Sequence, residues 1–528
     1  MMKKSLFILI GLLLAVGIQA AEVLSIANVD TWRASALAPY VGQEVMFPVP
    51  VYVNSVSGGL SVSVRRMMSG TETCLPNSSE WKGYQERNKA GLFYLNGAGS
   101  NHRLGEVIEN LVVRVNSTSS VQYISGNWVA NSREQLAKGP DWSELDKRGE
   151  HSLVVCAMNL EYYLVSDFGK GYGPKSQAEH DRQRQKTSKA LAAVHADIYG
   201  LVEVQKGMAA LNEIAKDLTD NTGKKYDILS GTVSDEGSYT QSAFVYCSET
   251  VQPYSPIMIA GGGPADRRYM ILFKEISTNE TFIYSINHFK AKSGSGSGAD
   301  ADKGDGQGAY NGTRTTEAQN VVSTGARMSQ MYSEPDILVM GDLNAYSMED
   351  PIRKFTDNGY TNLHKYFHQN ASYSYYSSYS DEAGILDHAL VNSALLPQVT
   401  GMLAYHINSD EDDRYTYNGK WADVTMFRSS DHDPILVGLR LSSDPSLTEV
   451  HLNNDGVYFD GKDVIVYNAR QNTNQPSYYS IFTLGGQLIE QGSIPSDMYT
   501  IKHPTPPGLY IVQVAANNKV HKFKIIVQ

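Results

Sequence analysis

The hydrophobic and polar positions of this chain follow three successive patterns. Between about Ala21 and Glu150 the apolar residues come in short alternating runs, as in Glu44-Val45-Met46-Phe47-Pro48-Val49-Pro50-Val51-Tyr52-Val53 and over 108–115, broken by Gly, Asn and Ser. Such runs, with turn punctuation and little helical periodicity, predict a small β-barrel or sandwich. Tyr40-Val41-Gly42-Gln43-Glu44-Val45 reads as the first strand of an OB-type barrel. From about His151 to Ser442 apolar strands alternate with helical stretches: strands at 154–158, 197–203, 242–246, 269–273, 281–287, 337–341, 385–391 and 435–441, and a helix over 182–195 with Ala190, Leu191 and Val194 on one face. Continuous apolar runs are the mark of strands buried on both faces, so this region reads as one α/β domain with a two-sheet core. After Leu447 short strands at 464–467, 478–482, 488–492 and 509–514, separated by Gly and Pro turns, predict a small β-sandwich.

The first twenty residues add a compartment. Met-Met-Lys-Lys precedes an apolar run over 6–18 that ends in Gln19-Ala20-Ala21, the layout of a cleavable secretory signal and too short to span a bilayer comfortably. No later stretch is apolar enough to cross a membrane. The expected organisation is therefore signal peptide 1–20, OB-like β domain 21–150, α/β domain 151–442 and β-sandwich 447–528. Of three cysteines, Cys156 and Cys247 lie in apolar strands and read as buried small hydrophobes. The formal charge is −11, and loss of Lys3 and Lys4 with the signal takes it to −13. That balance excludes a protein that grips duplex DNA by a broad basic face, because such affinity comes mostly from phosphate neutralisation. The polar insertion 293–308 is long enough to be functional or mobile, and Asp300, Asp302 and Asp305 have the wrong spacing for a calcium loop, with Asn311 at the twelfth position.

Chemistry enters through polar residues that repeatedly follow apolar strands. Taken singly, an Asp or Asn there is a turn former or helix cap. Together Met158-Asn159-Leu160-Glu161, Leu201-Val202-Glu203-Val204, Asn287-His288-Phe289-Lys290-Ala291-Lys292, Gly341-Asp342-Leu343-Asn344, Leu386-Asp387-His388 and Ser430-Asp431-His432-Asp433-Pro434 sit at strand ends, which lie close together at one edge of a sheet. In this order they resemble the endonuclease/exonuclease/phosphatase superfamily over roughly residues 150–442. The resemblance implies a four-layer α/β sandwich, two packed mixed sheets flanked by helices. The stretch 305–315 resembles the loop of large extracellular bacterial nucleases, which also carry an OB-like domain ahead of the catalytic one. The cysteines found there in many relatives are absent.

Phosphodiester hydrolysis needs an activated water, charge relief on the phosphoryl oxygens and help for the leaving alkoxide. Hard oxygen ligands without a His/Cys cluster suit Mg2+, with Mn2+ as a substitute. By resemblance Glu203 is the principal metal ligand, with Asn159 and Asp431 nearby and Glu161 a weaker candidate. His432, oriented by Asp387, is implied as general base or phosphate contact, His288 as the group that stabilises developing charge or protonates the leaving group, and Asp342 and Asn344 as positioning the water and phosphate. Whether Asp342 or His432 takes the proton stays open. Arg268 is the candidate phosphate contact, with Arg267 as its substitute, and Lys290, Lys292 and Arg314 are further phosphate contacts. The expected function is a secreted, monomeric, low-specificity nuclease acting on DNA, with RNA as a second candidate. The alternatives are a phosphodiesterase or phosphatase for phospholipid or sugar-phosphate substrates, and a non-catalytic binding protein on the same scaffold. Tyr373, Tyr375, Tyr376 and Tyr379 would form a membrane-facing loop or stack on bases. Trp32, Trp81, Phe93 and Tyr94 would bind single strands or fill the N-terminal barrel. The C-terminal piece resembles the sorting domain of the type IX secretion system, carried by 479–489, 507–514 and 522–527, which implies delivery by that machinery to the outside or outer surface of a Gram-negative bacterium.

Overall fold

A computed structural model describes residues 21–56, 59–99, 102–129, 133–229, 239–261, 267–368, 372–442, 456–459, 464–467, 477–483, 487–494, 498–501, 508–516 and 519–527. The signal-like segment 1–20, and Leu484-Gly485-Gly486 and Pro507 of the sorting-type motif, lie outside the described residues. The chain divides into two compact units: Met1–Met67 with Gly83–Asn131 and Ser378–Asp381, and Met68–Lys82 with Ser132–Ser377 and Glu382–Gln528. The division departs from a single break near residue 150, because 68–82 and 132–150 pack with the α/β unit.

In the first unit Val107–Ser117, Val51–Ser55, Leu60–Ser63, Phe93–Asn96 and Ser120–Val129 pair in that order, and the last returns to the first, which closes a five-stranded barrel. Glu44–Met46 extends it along Val107–Ser117. Trp32, Phe47 and Phe93 fill the interior, with Phe47 and Phe93 stacked at 5.3 Å. Trp32 and Phe93 therefore serve the barrel core, whereas Tyr94 is exposed. Trp81 falls in the other unit, where its indole lies against Gly306.

The second unit is built on two mixed six-strand paths. One runs Tyr226–Leu229, Thr240–Cys247, Ile198–Gln205, Leu153–Tyr163, Ile435–Leu439, Val399–Ala404. The other runs Val251–Pro253, Arg268–Glu275, Thr281–His288, Ile337–Asp342, Asp387–Val391, Thr361–Asn362. Each has one parallel pair, Leu153–Tyr163 with Ile198–Gln205 and Thr281–His288 with Ile337–Asp342. Strand alternation explains the unbroken apolar runs. Val155 and Ala157 face the opposite sheet with Leu338 and Met340, while Cys156 and Met158 face the helices Gln177–Val194 and Ala209–Thr222. Val339 and Ile337 likewise face Asn311–Tyr332 and Asp350–Thr356. The result is helix, sheet, sheet, helix, a four-layer α/β sandwich. Helix Gln177–Val194 starts five residues before the periodicity predicts, because Ser176 caps it by accepting the Glu179 N–H at 3.3 Å.

The C-terminal stretch forms two further sheets, Gly456–Phe459, Val464–Tyr467, Met498–Ile501 and Leu488–Ile494, Ser477–Thr483, Gly508–Ala516, Lys519–Val527. Tyr479, Ile481, Val512 and Val514 form part of its core.

Candidate active site

Strand register brings the singled-out residues together. His288 lies beside Asp342 across the parallel pair, Asp342 lies opposite Asp387 across the antiparallel one, and Asn159 lies beside Val202 in the other sheet. The pairing of Leu153–Tyr163 with Ile198–Gln205 slips between Asn159 and Tyr163, a bulge that turns Glu161 and Tyr162 out of the regular pleat. Glu161, Tyr162, Glu203 and Asn344 all hold positive φ, 50°, 55°, 60° and 47°. Each such residue costs roughly 1–3 kcal/mol and persists only where its surroundings over-determine it. Strained backbone thus lies where these strand ends present their polar side chains.

His432 Nδ1 donates to Asp387 Oδ2 at 2.7 Å, and the Ser374 hydroxyl donates to the same oxygen at 2.8 Å. Ser374 Oγ in turn accepts the N–H groups of Leu386 and Asp387, so the carboxylate is fixed from two sides. His432 Nε2 then points to Asp342 Oδ2 at 4.0 Å and Asp431 Oδ1 at 3.9 Å. Asp342 accepts the Asn344 N–H at 2.9 Å and the amides of Asn159 and Asn344 at 3.2 and 3.1 Å. His288 Nε2 stands 3.4 Å from Glu203 Oε1 and 3.7 Å from Asp342 Oδ2.

Burial sets the electrostatics. It lifts Glu203, reinforced by Asp431 and Asp342, up to about 7. Burial also raises Glu161 and Asp342, with Asp431 adding repulsion on the first and Asp387 on the second. For His432 burial pulls down, but Asp387, Asp431 and Asp342 outweigh it and hold the ring well above its ordinary value. His288 goes the other way, pushed well down by burial, Arg267, the His432 ring and Lys290. One imidazole is therefore a cation at neutral pH and the other neutral.

A divalent cation fits Glu161, Glu203 and Asp431. Their carboxylates repel one another and the buried Glu161 Oε2 has no hydrogen-bond partner; the Arg428 guanidinium offsets part of that charge, and a bound cation would offset the rest. Asp342, Asp387 and His432 also bring one ligand atom each within 4.8 Å of one another. In that trio Asp387 Oδ2 already receives the Ser374 and His432 hydrogens, while its Oδ1 is buried with no hydrogen-bond partner.

Other candidates land elsewhere. The Arg268 guanidinium is buried and committed, Nε to the Ala260 carbonyl at 3.0 Å and Nη1 to Glu317 at 2.5 Å, so it is not placed to meet phosphate. Its neighbour Arg267 is half-buried, has no ion pair among the described residues and acts electrostatically on His288. Arg314 is fully buried, donating to the carbonyls of Lys290, Ala309 and Gln307. Lys292 pairs with buried Glu349 and lies 4.2 Å from the Tyr346 ring. Both organise the insertion; Lys290, over Tyr310, and Lys292 are half-buried, and of the two Lys290 has no ion pair among the described residues. Asp300 caps helix Asn311–Tyr332 through Thr313, and Asp305 accepts from Gln307. The tyrosine run splits: Tyr373 stacks on His406 at 4.0 Å and bonds Asp410, Tyr375 covers His432 at 4.8 Å, and Tyr379 is fully exposed. Nothing in the sequence marks Ser374, since one Ser beside a tyrosine run carries no signal.

A two-sheet sandwich that gathers a carboxylate cluster, a carboxylate-held imidazolium and a neutral imidazole at its strand ends defines a metal-dependent phosphoric-ester hydrolase. Residues 171–432 match the model of the Endonuclease/Exonuclease/phosphatase family, a stretch that begins after Asn159 and Glu161. Members of that family are metal-dependent hydrolases of phosphoric esters. No curated protein matches the chain. Among solved structures, an endonuclease/exonuclease/phosphatase from Bacteroides vulgatus is similar at 15% identity, covering 55% of this chain and 99% of that one, with a TM-score of 0.39. The human Nocturnin catalytic domain with bound sulfate is 14% identical, covering 55% and 94%, with a TM-score of 0.38. A mannosyl-6-phosphatase from Bacteroides thetaiotaomicron is 16% identical, covering 55% and 100%, with a TM-score of 0.37.

Proposed function

We propose that the chain is an exported phosphodiesterase that acts as a low-specificity nuclease on DNA, with RNA as a second substrate. The observation that carries this reading is the line Ser374, Asp387, His432, which ends on an imidazole Nε2 facing Asp342. Mg2+, or Mn2+ in its place, held by Glu203 and Asp431 with Glu161 and the Asn159 carbonyl oxygen alongside, would neutralise phosphoryl charge. Asp342, its proton affinity raised by burial, accepts the proton of the attacking water while the amides of Asn159 and Asn344 fix its carboxylate. His432 holds a proton at Nε2 against the phosphoryl oxygens, and Asp387 stabilises that imidazolium. His288, beside Glu203 and the same Asp342 oxygen, supports charge on the leaving oxygen.

Arg267 and Lys290 replace Arg268 as the phosphate contacts. The acidic balance suits weakly held substrate that turns over, since a nuclease needs local contact with only a few phosphates. Export rests on the signal-like start, delivery through a type IX route on the C-terminal motif, and accessory strand binding on the OB-like reading of the barrel. No described helix is long and apolar enough to cross a membrane. Purified protein without the signal, supplied with Mg2+, should cleave plasmid DNA and RNA and lose activity with chelator. Hydrolysis of sphingomyelin or sugar phosphates with DNA left intact would refute the nuclease reading.

A further inference from the structure

Beside the carboxylate cluster lies a group of tyrosines that the hydrolytic machinery does not use, with Lys170 and the proposed phosphate contact Arg267 among them. Tyr162 holds φ at 55° and its N–H donates to Glu203 Oε2 at 3.1 Å, so its ring is tied to the site's edge. In the loop Asp167-Phe168-Gly169-Lys170-Gly171-Tyr172-Gly173, Gly171 packs directly on that ring. A Cβ on Gly171 would stand 2.1 Å from it, and one on Gly173 would stand 2.9 Å from the Tyr162 carbonyl oxygen, so both positions require glycine. This close approach sets Tyr172 edge-on to Tyr162 at 6.0 Å and 80°, and the Tyr417 hydroxyl holds the Tyr172 carbonyl at 3.1 Å. Tyr172 is nonetheless 81% exposed, and Tyr239 is 45% exposed with Lys170 Nζ 5.1 Å from its ring centre. Tyr239 and the half-buried Arg267 both lie within electrostatic reach of Tyr162.

A single exposed tyrosine needs no explanation. Three at one rim, one of them largely and one nearly half open to solvent, with two cations among them and the carboxylate cluster next door, make a surface on which flat rings stack while phosphates are neutralised. We propose that Tyr162, Tyr172 and Tyr239, with Lys170 and Arg267, form a stacking subsite for unpaired nucleotides flanking the scissile phosphate. The subsite rests on the nuclease reading and narrows it to single strands, single-stranded stretches or frayed ends. Duplex bases already stack on one another and present no free face, and the chain's charge of −11 does not favour a broad duplex grip.

The test uses the full exported chain. Anisotropy of labelled dT12 on the His432→Ala form reads binding without turnover, and wild-type cleavage of dT12 is followed against bis(p-nitrophenyl) phosphate. Tyr172→Ala and Tyr239→Ala should each weaken dT12 binding about tenfold, Tyr172→Phe should restore it, and the ratio of kcat/KM for dT12 over the small diester should fall by the same factor. A fall of the same size for a 12-base-pair duplex, or dT12 bound and cleaved with the variants unaltered, overturns the subsite alone. Binding of dT12 that depends on the tyrosines without cleavage keeps the subsite and overturns the nuclease reading. Failure of dT12 to bind or be cleaved, with the small diester still hydrolysed, overturns both.

Discussion

Asp387→Asn keeps the shape of the residue and removes its charge, which isolates what the carboxylate does for His432. The bond between them is 2.7 Å long, and the two side chains are only 1% and 7% exposed, so solvent screens it little. A hydrogen bond to a charged partner contributes about 1.5–3 kcal/mol. At about 1.4 kcal/mol per decade of rate, losing it costs about 10-fold to 150-fold. The larger part of that range is expected, because Asp387 heads the charges that raise the proton affinity of His432 against burial. The Ser374 hydroxyl still holds the Asn oxygen, so the fold should survive. Turnover of bis(p-nitrophenyl) phosphate should drop about 100-fold, with an unchanged circular dichroism spectrum and a Tm within a few degrees. His432→Ala should drop it at least as far, and the double variant should be no worse than His432→Ala, since groups that act as a unit are not additive. A loss under threefold for Asp387→Asn, or multiplicative losses in the double variant, would refute the reasoning.

Other perturbations probe the cation site, the insertion and the acid limit. Glu203→Gln removes a carboxylate crowded by Asp431 and Asp342, so the metal-free Tm should rise while the Mg2+ dependence of activity weakens at least tenfold; a metal-free Tm that falls by several degrees argues against the crowding. Lys292→Met leaves the buried Glu349 carboxylate without its cation, an expected loss of about 3–5 kcal/mol in urea melts, and a change under 1 kcal/mol would show that the pair is not structural. Burial depresses His388 from its ordinary value to about 4, its Nε2–H donating to the Ala345 carbonyl at 2.8 Å. Stability from keeping this ring neutral is fully present above about pH 6.5 and is lost as the pH falls to 4, roughly 3 kcal/mol in all. His388→Gln should flatten that part of the pH dependence of urea melts, and an unaltered slope would contradict it.

The sequence was most legible where a single strand carried the information. Apolar runs ending in Asn159, Glu203, His288, Asp342 and Asp387 predicted both the sheets and the edge at which these residues meet, because register follows from strand pairing. It was least legible where a partner lies far along the chain. Lys292 and Arg314 read as phosphate contacts because nothing local announces Glu349 or the carbonyls to which they are committed. Arg268 reads as the phosphate contact because it stands just before the apolar run at 269–273, yet it is the first residue of the strand and its side chain is paired with Glu317, a helix residue 49 positions on. Ser374, one residue beyond Tyr373, completes the His432 line only through a fold that brings it to Asp387. Segment 68–82 escaped the α/β domain on paper, whereas Glu72 accepts the Ile385 N–H at 2.6 Å and Thr71 bonds Glu349 at 2.9 Å.

The proposed function requires that the strand ends around Asp342 and His432 form a cation-dependent phosphodiester-cleaving site. The most direct measurement is hydrolysis of bis(p-nitrophenyl) phosphate and dT12 by the protein without its signal segment, titrated with Mg2+ after EDTA treatment, beside His432→Ala. Activity on both substrates that is absent in EDTA, saturates with Mg2+ and falls at least 100-fold in a folded His432→Ala protein is the expected result. Activity that survives EDTA, or a folded His432→Ala protein with near-normal turnover, would contradict the account.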